Sequence, residues 1–247
     1  MKSRAFVPLV ALALCACAGG SETGNPVAQT SIRLGLHTSR PELVAVSSGA
    51  QGTVIEHAWM AFGAFAFMPG AQCAALDQFE HTGGTWLATD LAAPGAHVDV
   101  ELESGAYCGL VVPLEASSAE LPDAAPTALR DHSIVVEGRR ADGVPFIITH
   151  PEQDELELGA IAGTFTIDLD GPGLLLSFDV AKWMDGIDLD RAEVSADQVI
   201  HIDQNTNRAL LDQFELQVEC ALALYRDDNG SGALESSDAL LARCIAN

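Results

Sequence analysis

Positive charge is scarce in this chain. Its 247 residues carry 12 Lys+Arg against 35 Asp+Glu, a formal net charge of −23. Beyond Lys2, Lys182 is the only lysine. Such a balance argues against nucleic acid and against anionic lipid head groups as partners. Long apolar runs are missing too. The most prominent, Ala5 to Leu14, is ten residues, where a membrane-spanning helix needs about 20. Aromatic residues make up only 6%, so Trp59, Trp86 and Trp183 read as core packing before they read as a glycan-binding platform. There is no Gly-x-Ser-x-Gly, His-Glu-x-x-His, phosphate loop or dinucleotide fingerprint, and with them go the common enzyme signatures. His37, His57, His81, His97, His132, His150 and His201 are scattered, with no His-x-His or His-x₃-His pair to suggest transition-metal handling. No Cys-x-x-Cys occurs, which removes a thioredoxin-type site and a zinc ribbon.

What is present is enough for a fold. At 48% hydrophobic residues and a mean hydropathy of +0.20, the chain can bury a substantial core, so it is not a disordered tail. The length suits one large domain, or one domain with a small appendage.

The N-terminus has a basic start (Lys2, Arg4) followed by the short apolar run, the form of a secretory signal. Leu14-Cys15-Ala16-Cys17 resembles the bacterial lipobox. That resemblance implies cleavage after residue 16, lipid on Cys17, and a protein held on a membrane by its lipid chains, on the outer membrane by preference because Ala18 rather than Asp follows. Cys15 is the rival acceptor, disfavoured by bulky Leu14. Loss of residues 1–16 leaves 10 basic against 35 acidic residues, a net −25. Residues 17–28, rich in Gly and polar residues, read as a flexible tether. They also look like the start of many uncharacterised Gram-negative lipoproteins.

Residues 29–181 read as strand after strand. Ile32, Leu34 and Leu36 alternate with Arg33, Gly35 and His37, the period of a half-buried strand. Val98, Val100 and Leu102 repeat the pattern. Val54 to Met68 is apolar on both faces and predicts one long central strand. Ala141-Asp142-Gly143 predicts a hairpin turn between two further strands. Short strands punctuated by turns predict a mainly β domain, an antiparallel β-sandwich or barrel. The stretches Trp86-Leu87-Ala88-Thr89-Asp90-Leu91, Leu102-Glu103-Ser104-Gly105-Ala106-Tyr107 and Ser177-Phe178-Asp179-Val180 resemble uncharacterised β-sandwich domains of bacterial lipoproteins. Those families imply the fold and no established activity.

Residues 182–247 change pattern. Leu211, Phe214, Val218, Leu222 and Tyr225 predict an amphipathic helix, and Ala239 to Ile245 a second one. Between them, residues 227–238 resemble EF-hand and dockerin-type calcium loops: Asp227, Asn229 and Ser231 at positions one, three and five, Gly232 at six. The backbone carbonyl of Ala233 stands at seven, Glu235 at nine and Asp238 at twelve. A hard divalent cation wants six to eight oxygens, and this spacing aims them at one centre. Asp238 in place of the usual Glu shortens the reach of the last ligand. Asp203, Asn205 and Asn207 imitate the motif, but Arg208 stands where Gly is needed, so they read as a polar turn and helix cap.

Cys73, Cys108, Cys220 and Cys244 remain after the lipobox. In an exported protein they suggest two disulfides with three possible pairings, of which proximity favours Cys73–Cys108 and Cys220–Cys244. A bridge across the loop implies a closed helix pair, hence a structural calcium site rather than an opening sensor. The sequence thus predicts a non-enzymatic envelope lipoprotein with structural Ca²⁺ and an unidentified protein or glycan partner. A transition-metal handler or a hydrolase with an unrecognised site is the alternative.

Overall fold

The structure is a computed structural model that describes residues 26–46, 52–73, 80–81, 87–116, 121–151 and 154–244. The signal, Cys17, most of the tether and Trp86 lie outside the described residues. The strands are β1 (Val27–His37), β2 (Val44–Ala45), β3 (Thr53–Phe62), β4 (Ala66–Pro69), β5 (Glu80–His81), β6 (Leu87–Asp90), β7 (His97–Glu103) and β8 (Gly105–Pro113). They continue with β9 (Ile134–Arg139), β10 (Pro145–His150), β11 (Glu155–Ala160), β12 (Phe165–Ile167) and β13 (Gly173–Asp179). After the short helix α1 (Val180–Trp183) come β14 (Ile200–Ile202), helix α2 (Arg208–Val218), β15 (Leu222–Asp227) and β16 (Ala239–Cys244).

The chain is mainly β, in two sheets around one apolar core. The larger sheet runs β5-β4-β8-β11-β16-β15-β13-β1-β7, with β12 beside β8. The smaller runs β14-β10-β9-β3-β2, with β6 beside β3. Inward side chains of both, among them Ile32, Leu102 and Leu176 from one and Met60, Ile134 and Phe146 from the other, belong to the same buried cluster. Burying a side chain of this size contributes roughly 1.5–3 kcal/mol, so the alternation visible in β1 and β7 is what drives the sheets together. The Asp-Gly turn forms as the sequence predicts, with Gly143 at φ +89° and the Arg140 and Val144 backbones paired.

Three expectations are corrected. Val54 to Met68 is not one strand. The chain leaves the small sheet at Phe62, passes residues 63–65, and enters the large sheet as β4. It reads as apolar on both faces because it crosses the core from one sheet to the other. The sheets are also mixed rather than antiparallel throughout: β1 pairs parallel with β13, β2 with β3, and β10 with β14.

The third correction is the largest. Ala239 to Ile245 does not form a helix: its described part, Ala239–Cys244, is strand β16, and the predicted helix before the loop stops at Val218. β15 and β16 pair with each other and lie inside the large sheet, between β13 and β11. The C-terminal residues are therefore part of the core sheet, not a helix–loop–helix appendage. Only α2 keeps the helical reading, and it seats Leu211, Phe214 and Val218 on the core. A chain of ring contacts, Phe62–Phe178–Trp183–Phe214, ties it there, with centroids about 6 Å apart. Trp59 is buried in a second cluster with Leu129 and Val135. Both described tryptophans are thus packing residues.

Candidate functional site

The loop 227–238 connects β15 to β16, so its ends are set by a strand pair. β15 delivers Asp227 to the loop with the residue wholly buried. Its Oδ1 accepts the N–H of Ser231 at 3.0 Å, and Oδ2 accepts the N–H of Gly232 at 3.0 Å. Asn229 Oδ1 accepts the same Ser231 N–H at 2.9 Å. Gly230 and Gly232 stand at φ +68° and +70°, a conformation that a side chain penalises. Ser231 Oγ donates to the Ala233 carbonyl at 3.0 Å. Asp238 Oδ2 accepts the Glu235 N–H at 2.8 Å, whereas Asp238 Oδ1 is buried and has no hydrogen-bond partner among the described residues. Asp227, Asn229, Ser231 and Ala233 are thus held in one hydrogen-bonded turn, and Glu235 and Asp238 in a second. Among the described residues no three His, Cys, Asp or Glu side chains converge as a metal cluster. Any cation here would rest on amide, hydroxyl and carbonyl oxygens as well as on acids.

The sequence did not reveal the loop's neighbour. Arg33 of β1 lies across the turn, its Nε 3.5 Å from Asp227 Oδ2. A Cβ on Gly232 would stand 2.9 Å from Arg33 Cδ, so only glycine lets the arginine lie this close. The signal was present in part: Arg33 is an outward position of an alternating strand. Its partner strand was not legible.

No family model matches the sequence, and no curated protein matches it. Among solved structures, MbnP from Methylosinus trichosporium is similar, with 13% identity and a TM-score of 0.43 over 72% of this chain and 83% of that chain. The likeness is distant.

The cysteines pair as proximity favours. Cys73 bonds Cys108, and Cys220 bonds Cys244 with their Cα atoms 5.0 Å apart. The second bridge ties the end of the α2 segment to β16, closing the hairpin that carries the loop. No helix pair is involved.

Two of the described histidines, His37 and His57, pair with aspartates at separate places. His37 Nδ1 lies 2.7 Å from Ser177 Oγ, and its Nε2 4.0 Å from Asp179 Oδ2. Three residue types of a hydrolytic triad thus meet on β1 and β13. Ser177, however, is 1% exposed, so a substrate carbonyl has no path to it, and Asp179 spends Oδ1 on the N–H groups of Ser39 and Ala181. Burial lowers the His37 pKa, with Asp179 opposing and Lys182 adding to the drop. The cluster ties β1 to the β13–α1 corner.

His57 is different, because its ring is half exposed. Its Nδ1 lies 2.7 Å from buried Asp90 Oδ2, while Asp90 Oδ1 accepts the N–H groups of Ala58 and Ala92. The hydrogen bond to Asp90 raises the His57 pKa against the cost of burial, with the charges of Asp90, Glu137 and Glu56 adding to it. A raised folded value stabilises fully below the unfolded value near 6.5 and is lost as pH rises through the folded value. His57→Gln should therefore lose most against the parent at about pH 5.5 and least at about pH 8.5, as read by thermal melting. A gap of equal size at every pH would remove the link to this histidine.

Proposed function

We propose that the chain is a non-enzymatic module of the cell envelope, anchored through lipid on Cys17, built as a β-sandwich, and stabilised by a divalent cation in the 227–238 loop. The anchor rests on the lipobox resemblance, and the sandwich on two sheets sharing one core. The cation rests above all on Asp238 Oδ1, a buried carboxylate oxygen without a donor at the twelfth position of an Asp-x-Asn-x-Ser-Gly loop. A buried acceptor left unpaired costs roughly 1–3 kcal/mol, more for a charged group, and a calcium ion supplies what it lacks. Asp227, Asn229, Ser231, the Ala233 carbonyl, Glu235 and Asp238 would provide the oxygens. Because the loop joins paired strands closed by Cys220–Cys244, the ion would fix a turn rather than open a helix pair. Its role is structural.

Calcium titrated calorimetrically into EDTA-treated protein should bind with a Kd of roughly 10⁻⁴ to 10⁻³ M, raise the melting temperature, and bind more weakly to Asp238→Asn. No heat, together with a melting curve indifferent to EDTA, would overturn the cation.

A further inference from the structure

The outer face beside the loop carries a groove of about 530 Å³. Its floor is the end of β1 and its walls are the 91–97 turn and the tip of the loop, residues 231–233. In a chain with 35 acidic residues, no acidic side chain among the described residues lines it. Its one permanent charge is Arg33. The lining also includes the apolar residues Leu36, Val46 and Pro94, and Leu91, which is committed to the core.

Arg33 spends only Nε on Asp227, at 3.5 Å. Among the described residues no hydrogen bond holds Nη1 or Nη2, and the Arg33 side chain keeps 41% of its exposure. A guanidinium with its fork free matches a carboxylate, which it can hold through two parallel N–H···O bonds. Concave, largely apolar sites with one well-placed polar group are the usual form of small-molecule pockets. A groove without acidic lining spares an anion direct repulsion from its walls.

We propose that this groove binds an aliphatic carboxylate, its charged head on Arg33 and its chain against Leu36, Val46 and Pro94, and that a cation in the 227–238 loop tightens it. The second half rests on the cation reading above. Asp227 faces both the loop and Arg33. An ion that draws on the Asp227 carboxylate weakens its hold on Arg33 and leaves the guanidinium to the ligand. By linkage the ligand tightens the ion equally.

Octanoate is the probe, titrated calorimetrically into the whole protein in EDTA and then in millimolar calcium, with octanol as the uncharged control. Octanoate should bind in both buffers, about fivefold or more tightly with calcium. Arg33→Met should weaken it at least about tenfold, and octanol should bind far more weakly. Circular dichroism melts of Arg33→Met and Pro94→Asp check that the variants are folded, and Pro94→Asp, an exposed position, tests the apolar lining separately. Absence of octanoate binding in both buffers, equal binding by a folded Arg33→Met, or equal binding of octanol would overturn the site. Octanoate that binds through Arg33 while calcium gives no heat keeps the groove and removes the cation. Calcium that binds without changing octanoate affinity removes the coupling alone.

Discussion

Asp227→Ala should lower the unfolding free energy by about 2–3 kcal/mol, measured by urea or thermal unfolding. The reasoning starts from burial: the residue is 0% exposed, and its two oxygens serve the N–H groups of Ser231 and Gly232. Ser231 keeps a second acceptor in Asn229, so most of the loss falls on Gly232, whose donor is left without a partner. Arg33 also loses its counter-ion. That side chain is 41% exposed, and an ion pair open to solvent adds little. Asp227→Asn keeps the shape and one acceptor, so it should cost less than the alanine change. Were the alanine variant to unfold within about 0.5 kcal/mol of the parent, the carboxylate would not be what holds the turn.

Replacing Cys220 and Cys244 together by serine should cost about 3–4 kcal/mol, the chain-entropy value for a loop of this length. The bridge spans a sequence separation of 24 and encloses β15, the loop and β16. Without it the unfolded chain regains the freedom to separate those ends, while the folded hairpin is still held by its pairing to β13 and β11. The variant should therefore fold, melt lower, and bind calcium more weakly because the strand ends that frame the loop fray more readily. With both proteins under reducing conditions, which also open Cys73–Cys108, the denaturant midpoints of the serine pair and of the parent should coincide. A serine pair as stable as the oxidised parent would show that strand pairing alone closes the hairpin.

Strands with clean alternation were legible in the sequence, and the reason is local. His97 to Glu103 shows its apolar and acidic faces within seven residues, and β7 has those same bounds. Ala141-Asp142-Gly143 carries its turn chemistry in the residues themselves. The C-terminal strands were not legible, for an equally physical reason. Ala239, Leu240, Leu241, Ala242 and Arg243 are all good helix formers, and only pairing to β15 and β11 makes them a strand. Leu222 and Leu224 alternate, but Val218, Leu222 and Tyr225 also fit a helical period, and the longer pattern hid the shorter. At the site, the glycine turns at residues 230 and 232 could be read from the loop sequence. Arg33 could not, because its place over Gly232 depends on β1, β13 and β15 lying side by side. Nothing in the local sequence announces that order.

The position of β15 and β16 bears on when the large sheet can be completed. They fill its interior, so until they arrive β13 and β11 face a gap two strands wide, with unpaired edges on either side. A chain that emerges from its N-terminus first has made every other strand of that sheet by then, and still cannot close it. Completion waits on this late hairpin, and long-range pairing of this kind is slow. If the chain is exported as proposed, that delay would be useful: the sheet would stay open through transit and lock when the hairpin slots in, with Cys220 and Cys244 there to fasten it.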